Sequence, residues 1–221
     1  MSWRFVTCAA LFVTCLLTAN TIAAKLIVVF GAVLTAGIVI FPLSYVLGDV
    51  LTEVWGYAAA RRVIWLGFAC NAVAVAAVGI AGALPSAPFG ASQVAYDEVL
   101  GHAPRILLAS FAAYLVGELA NAFVLAKLKI ATQGRHLWLR TIGSTVVGQA
   151  LDSAVFVTLA FAGTMPGGVL LGMIGGQWLF KVLYEAAGTP LVYAVVGWLK
   201  AREGVDVYDR DTDFNPIRLR G

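Results

Sequence analysis

Residues 105–127 read RILLASFAAYLVGELANAFVLAK, and Glu118 is the only charged side chain between the terminal Arg105 and Lys127. The hydrocarbon core of a bilayer, about 30 Å thick, needs ~20 apolar residues of helix to cross it. This stretch therefore reads as a membrane span that carries a carboxylate and, three residues later, the amide of Asn121. Working outward from it, five further apolar runs of spanning length lie at about 5–24, 31–52, 63–83, 140–162 and 169–199. The expected fold is an all-α integral membrane protein: six transmembrane helices within residues 1–199, then a charged tail over 200–221 that is ordered at most in part. Pro42 should kink the second span, and Gly188-Thr189-Pro190 should break the sixth, because proline removes a backbone donor and crowds the preceding turn.

Composition agrees. Of 221 residues, 61% are hydrophobic and 12% charged, where soluble domains have roughly 45–50% and about 25%. Mean hydropathy is +0.88. So little charge cannot cover the surface of a soluble domain. That excludes soluble enzymes, disordered regulators and nucleic-acid binders as readings of the whole chain, and makes the lipid bilayer the first partner. The net charge of +3 is too small to call for a polyanionic partner. Cys8, Cys15 and Cys70 sit inside apolar runs without metal-ligand spacing and read as small buried hydrophobes. His102 and His136 lie in or beside loops, also without ligand spacing. No catalytic constellation, Walker A motif, metal site or cofactor site is visible, so neither catalysis nor ATP hydrolysis is expected of this chain.

The basic residues orient the spans. Six crossings place Arg4, Arg61, Arg62, Lys127, Lys129, Arg135, Arg140, Lys200, Arg202, Arg210, Arg218 and Arg220 on one side, which is 12 of the 15. Lys25 and Arg105 fall on the other side, and Lys181 falls within a span. The positive-inside rule then puts both termini in the cytoplasm. Trp3, Trp55, Trp138 and Trp198 fall near the same span ends, as an aromatic belt requires. The segment 84–104, with Pro85, Pro88, Gly90, Asp97 and Glu98, is the longest external connection and reads as a plain linker, with a lid over an outer entrance as the alternative.

A weak repeat runs through the chain. Ser44-Tyr45-Val46-Leu47-Gly48-Asp49-Val50-Leu51-Thr52 aligns with Ser144-Thr145-Val146-Val147-Gly148-Gln149-Ala150-Leu151-Asp152. Asn20 lies 24 residues before Ser44, and Asn121 lies 23 before Ser144. Spans 1–2 thus resemble spans 4–5. With three spans between partners the copies face opposite ways, a 3+3 inverted repeat of the kind that places substrate between the halves of secondary transporters.

A charged group at the bilayer centre costs ~2.5–3.5 kcal/mol on insertion scales, so those retained usually pair or line a pathway. Glu118 and Asn121 share a face of span 4, with Tyr114 one turn before. Gln149 and Asp152 do so in span 5. In span 6, Gln177, Lys181, Glu185, Thr189 and Tyr193 recur every fourth residue as one polar stripe. Asp49 and Glu53, four apart near the inner end of span 2, read either as an interfacial pair with Arg61 or Arg62, or as a gate. Three deep acids, Glu118, Asp152 and Glu185, face one base, Lys181, which leaves carboxylates to be protonated or to meet a ligand. Such groups suit a planar neutral heterocycle, a sugar or an amino acid. For a heterocycle, a carboxylate accepts two N–H bonds from a guanine-like edge and an amide serves a ring carbonyl, while Tyr114, Phe156, Trp178 or Phe180 stacks on the faces.

Four segments resemble a known family. Gly48–Tyr57 (GDVLTEVWGY) with Ala60-Arg61 is similar to its D-x-x-T-E-V-Y-G-Y…A-R segment. Gly117-Glu118-Leu119-Ala120-Asn121 leading to Lys127-Leu128-Lys129 resembles its fourth helix. Arg140-Thr141-Ile142-Gly143-Ser144 with Gln149 and Asp152-Ser153 resembles its fifth. Lys181, Tyr184-Glu185, Thr189-Pro190 and Tyr193 resemble its sixth. These are the queuosine precursor transporters, or vitamin uptake transporter family, and the likeness runs from Asn20 to about Pro216. Trp55 replaces an expected Tyr, and Ile217 an expected Phe. The resemblance implies a bacterial inner-membrane importer of 7-cyano-7-deazaguanine and its aminomethyl relative, which feed queuosine in tRNA. On that reading Glu118, Asn121, Gln149 and Asp152 bind the base edge. Gln177, Lys181, Glu185, Tyr114 and Asn20 complete the pocket, and Asp49 and Glu53 gate or couple. The family also resembles the substrate-binding subunits of energy-coupling-factor importers, so an ATPase partner stays open, as does a homodimer.

Overall fold

In the computed structural model, residues 2–22, 25–29, 32–87, 93–100 and 104–218 are described. Seven α-helices make up nearly all of them: α1 (Trp3–Ile22), α2 (Phe41–Trp55), α3 (Tyr57–Ala83), α4 (Gln93–Leu100), α5 (Pro104–Ala131), α6 (Leu137–Phe161) and α7 (Gly167–Glu203). Five are long and apolar enough to cross a membrane: α1, α3, α6, α7 and the segment that ends with α5. His102 and Arg220 lie outside the described residues, as do Pro88 and Gly90.

The expected second span, 31–52, is where helical continuity fails. Leu26–Val29 (β1) pairs antiparallel with Ala32–Thr35 (β2), in the register Leu26↔Thr35 to Val29↔Ala32. A 3-10 turn over Ala36–Val39 follows, and α2 starts only at Phe41. β-branched Val and Ile favour the extended pairing. Pro42 does not kink the helix but stands in its first turn, where a missing N–H costs nothing. At 1.5 Å per residue the 15-residue α2 is about 22 Å long, and 12 of its residues are buried. It is therefore the central helix of the bundle rather than a lipid-facing one.

Pro190 does not break α7, which runs unbroken from Gly167 to Glu203. The Thr189 hydroxyl donates to the Glu185 carbonyl at 3.0 Å in the turn before the proline. The segment 84–104 is more than a linker, because it contains α4. The Tyr96 hydroxyl donates to the Val78 carbonyl at 2.8 Å and the Gln93 amide to the Gly82 carbonyl at 3.0 Å, so α4 lies against the end of α3.

The two ends of the bundle differ. At one end Arg4 of α1 pairs with Glu203 of α7 at 2.8 Å, and α2, α3, α5 and α6 bring Glu53, Arg61, Lys129 and Arg140 to the same level. At the other, Arg105 donates to the carbonyls of Leu159 and Ala162 at 2.7 and 2.6 Å. There α3 and α7 expose Val73, Ile80, Val169 and Leu171. Trp3, Trp138 and Trp198 are exposed near the basic end.

The tail corrects a further expectation. Rather than remaining partly ordered, residues 204–218 fold back across the basic end as a strap. The Val207 amide donates to the Val54 carbonyl at 3.2 Å. Asp209 accepts the Tyr57 amide at 2.9 Å, capping α3, whose own N-cap, Gly56, supplies no side chain. Gly56 has φ +83°, and a Cβ there would lie 2.7 Å from Val207, so only glycine lets the strap pass. Buried Arg61 donates to the carbonyls of Asp213 and Asn215 at 2.7 and 2.6 Å, and the Trp65 indole donates to that of Pro216 at 2.8 Å.

Candidate functional site

Helices α5 and α6 meet backbone to backbone. A Cβ on Gly117 would lie 2.7 Å from the Asp152 Cβ, and one on Gly148 would lie 2.8 Å from the Asn121 Cβ and 2.9 Å from the Gly117 carbonyl. Small residues permit this approach between membrane helices. It places Glu118 and Asn121 of α5 in one layer with Gln149 and Asp152 of α6. From the other side α2 closes on the layer. The Asn121 amide donates to Asp49 Oδ1 at 2.7 Å, and a Glu118 carboxylate oxygen lies 3.2 Å from where a Gly48 Cβ would stand. Helix α7 adds Glu185, whose carboxyl faces that of Asp49, and Lys181, which forms an ion pair with Asp152. Tyr45 of α2 is buried beside this layer.

These acids face inward: Asp49 is 0% exposed, Glu118 3%, Glu185 2% and Asp152 6%. Asp49 is thus a core residue and not part of an interfacial pair, which raises the deep acids from three to four against the one base. Six buried polar side-chain atoms in this layer have no protein partner among the described residues: Asp49 Oδ2, Asn121 Oδ1, both amide atoms of Gln149, Ser153 Oγ and Glu185 Oε1. Each would cost about 1–3 kcal/mol if left unmade, so their convergence from four helices calls for a polar guest or water.

Other expected members stand apart. The Tyr114 hydroxyl donates to the Ile64 carbonyl at 2.9 Å and lies across Gly67, 2.7 Å from where a Cβ would be, so its ring is held against α3. Asn20 pairs with Asn71 of α3 at 3.0 Å and not with the acid layer. Gln177 is partly buried, two turns before Glu185 on α7. The Trp178 indole donates to the Val146 carbonyl at 3.0 Å, and the Lys181 ammonium lies 5.5 Å from the Phe41 ring centroid.

Glu53 belongs to a second cluster, at the basic end, and its partners are not Arg61 or Arg62. Fully buried, it accepts Arg140 Nε and Nη2 at 3.1 and 2.8 Å and Lys200 Nζ at 2.6 Å, with Lys129 at 3.7 Å. Lys129 and Lys200 reach Asp206 of the strap at 2.6 and 2.9 Å. Partial burial works against ionisation of Asp206, but the two ammoniums outweigh it and hold its carboxyl below the ordinary value of 3.8. One ionic knot thereby ties α2, α5, α6, α7 and the strap. In the sequence Lys200 is legible only as a charge that sets orientation, and Arg140 and Lys129 as such charges and as members of the family-like segments. Their position at span ends is the one signal that could have marked them as partners for Glu53. Nothing marked Asp206.

Residues 35–195 match the family model described as "Putative vitamin uptake transporter". A protein of Bacillus subtilis (strain 168) named "Probable queuosine precursor transporter" is 32% identical over 80% of this chain and 77% of its own length. The "Queuosine precursor transporter" of Escherichia coli (strain K12) is 29% identical over 60% of this chain and 58% of its own. A Haemophilus influenzae protein named "Probable queuosine precursor transporter" is 30% identical over 58% and 52%. Family and relatives alike are named as transporters, not as enzymes. No solved structure gives a significant match.

Proposed function

The chain belongs to the vitamin uptake transporter family, and we propose that it carries 7-deazaguanine precursors of queuosine across the bacterial inner membrane. The cargo is 7-cyano-7-deazaguanine, its aminomethyl form or both, destined for tRNA modification. The observation that supports this best is the convergence of unpartnered amide, carboxyl and hydroxyl atoms from α2, α5, α6 and α7. A lactam-bearing base offers adjacent N–H donors and a carbonyl. Asp49, Glu118 or Glu185 accept the donors, and Gln149 or Asn121 serves the carbonyl. Lys181 holds Asp152 in place and shapes the pocket.

Six crossings with both termini inside, arranged as two inverted halves, fit this role. The short α2 with the preceding hairpin makes the second crossing. The Glu53 knot and the strap then form the closed cytoplasmic gate, while the outer halves of α3 and α7 carry exposed apolar side chains on the other side. Asp49 and Glu185, two facing carboxyls without a cation between them, are the pair through which a proton would couple, since like charges in contact disfavour double ionisation. No observation favours a substrate-binding subunit of an ATP-driven complex, and each relative is named a transporter.

The deciding experiment is uptake of radiolabelled 7-cyano-7-deazaguanine in cells unable to make deazaguanines, comparing wild type with Glu118→Gln, Asp49→Asn and Asp152→Asn at equal membrane abundance. Loss of uptake is expected for each. Wild-type rates in all three would discard the site. Uptake that survives a proton-collapsing agent would discard the coupling alone.

A further inference from the structure

Tyr57 of α3, Leu119, Ala120 and Phe123 of α5, and Phe214 and Pro216 of the strap line a groove of about 260 Å³. It lies away from the acid layer: Glu118, Asn121 and Ala122 point into the bundle, while Val116 and Phe123 are exposed on the opposite side of α5. In a chain that spans a bilayer this face meets hydrocarbon, and an apolar groove open to hydrocarbon admits an acyl chain. Its rim carries Lys127. That ammonium lies 3.8 Å from the centroid of the Phe214 ring and 5.6 Å from that of Phe123, so both wall residues hold it at the groove. Lys127 is exposed and makes no ion pair among the described residues, in contrast with Lys129 two residues on.

The geometry points to a binding site for one anionic phospholipid, its acyl chain in the groove and its headgroup phosphate on Lys127. An uncommitted cation at the basic end of a membrane helix is complementary to an anionic headgroup, and a zwitterionic lipid offers it no net charge. Two of the six walls belong to the strap, so the groove exists as described only while the strap is docked. By linkage, whatever binds there stabilises docking, and docking strengthens binding. This is independent of the substrate that the acid layer takes.

The test is native mass spectrometry of the purified full chain, equilibrated with equal amounts of dioleoylphosphatidylglycerol and dioleoylphosphatidylcholine. One phosphatidylglycerol should be retained in preference, and Lys127→Gln should lower that preference about fivefold, the factor for one basic residue near an anionic surface. Ala120→Trp, which fills the groove, should abolish retention of either lipid, and Phe214→Ala should weaken it. Lys25→Gln, at the opposite end, should change nothing. Thermal unfolding of each variant checks folding, and phosphatidylglycerol should raise the melting temperature of wild type more than that of Lys127→Gln. Equal retention of the two lipids, or an undiminished preference in Lys127→Gln, would overturn the site. So would the same stabilisation by inorganic phosphate, which would mean that no lipid is needed. Disulfide cross-linking of Ala120→Cys to a second copy in native membranes would likewise overturn it, since the groove would then be a subunit contact.

Discussion

Glu53 receives both Nε and Nη2 of Arg140 although 87 residues separate them, and neither partner is exposed by more than 1%. Such a pair is costly to assemble, because both ions leave water, but removing one partner strands the other and costs about 3–5 kcal/mol. Here the carboxylate also answers Lys200 and Lys129. Glu53→Gln should therefore destabilise the protein more than Arg140→Gln, since it leaves Arg140 with no carboxylate and Lys129 and Lys200 with Asp206 alone, where the latter leaves two cations to neutralise Glu53. Chemical unfolding in detergent reads the difference. Exchanging the charges, Glu53→Arg with Arg140→Glu, should not restore stability, because the lysines would then meet a guanidinium. Full rescue by the exchange would show the two residues to be an isolated pair.

Gly148→Ala should open the α5–α6 crossing. Its Cβ would stand 2.8 Å from the Asn121 Cβ and 2.9 Å from the Gly117 carbonyl, contacts that backbone cannot relieve without moving a helix. Overpacking of this kind costs about 1–3 kcal/mol and should weaken substrate uptake, because Asn121 would leave Asp49. Gly175→Ala, with nothing within 4 Å, should leave both melting and uptake unchanged.

Gln149 separates a binding role from a structural one. Neither atom of its buried amide has a protein partner. Gln149→Leu removes an amide that the empty protein does not use. It should hold or raise the melting temperature while cutting affinity for the deazaguanine base by about 1–3 kcal/mol, the cost of leaving a buried neutral hydrogen-bonding group unpartnered. Lower stability with intact uptake would mean that the amide serves the fold.

Strap docking should fail in acid. Asp206 has a folded pKa below its ordinary 3.8, so its contribution is present above that value and is lost as pH falls through the depressed folded one. Labelling of a cysteine placed at Tyr208, whose hydroxyl is covered by Gly134, should rise over that range. In Asp206→Asn it should be high already at neutral pH. A pH profile identical in the two proteins would exclude Asp206 as the tether.

Composition and run length sufficed for the membrane class and for five of the helices. Helical spacing alone put Glu118 beside Asn121 and Gln149 beside Asp152, because neighbours on one helix are set by its own period. What a helix faces is set by its rotation and depth against others, and no local pattern encodes that. Hence the partners that sequence proximity offers Glu53 on the interfacial reading are Arg61 or Arg62, while folding gives it Arg140, Lys200 and Lys129. Asp49 is open in sequence to either an interfacial or a gate role, and only the central position of α2 makes it a core residue. Asn20 and Tyr114, deep and polar, joined α3 instead of the acid layer. The strap was hidden for the same reason. A short, charged stretch buries too little to fold alone, and it acquires a structure only where Arg61, Lys129 and the bare first turn of α3 offer partners for its carbonyls and carboxylates.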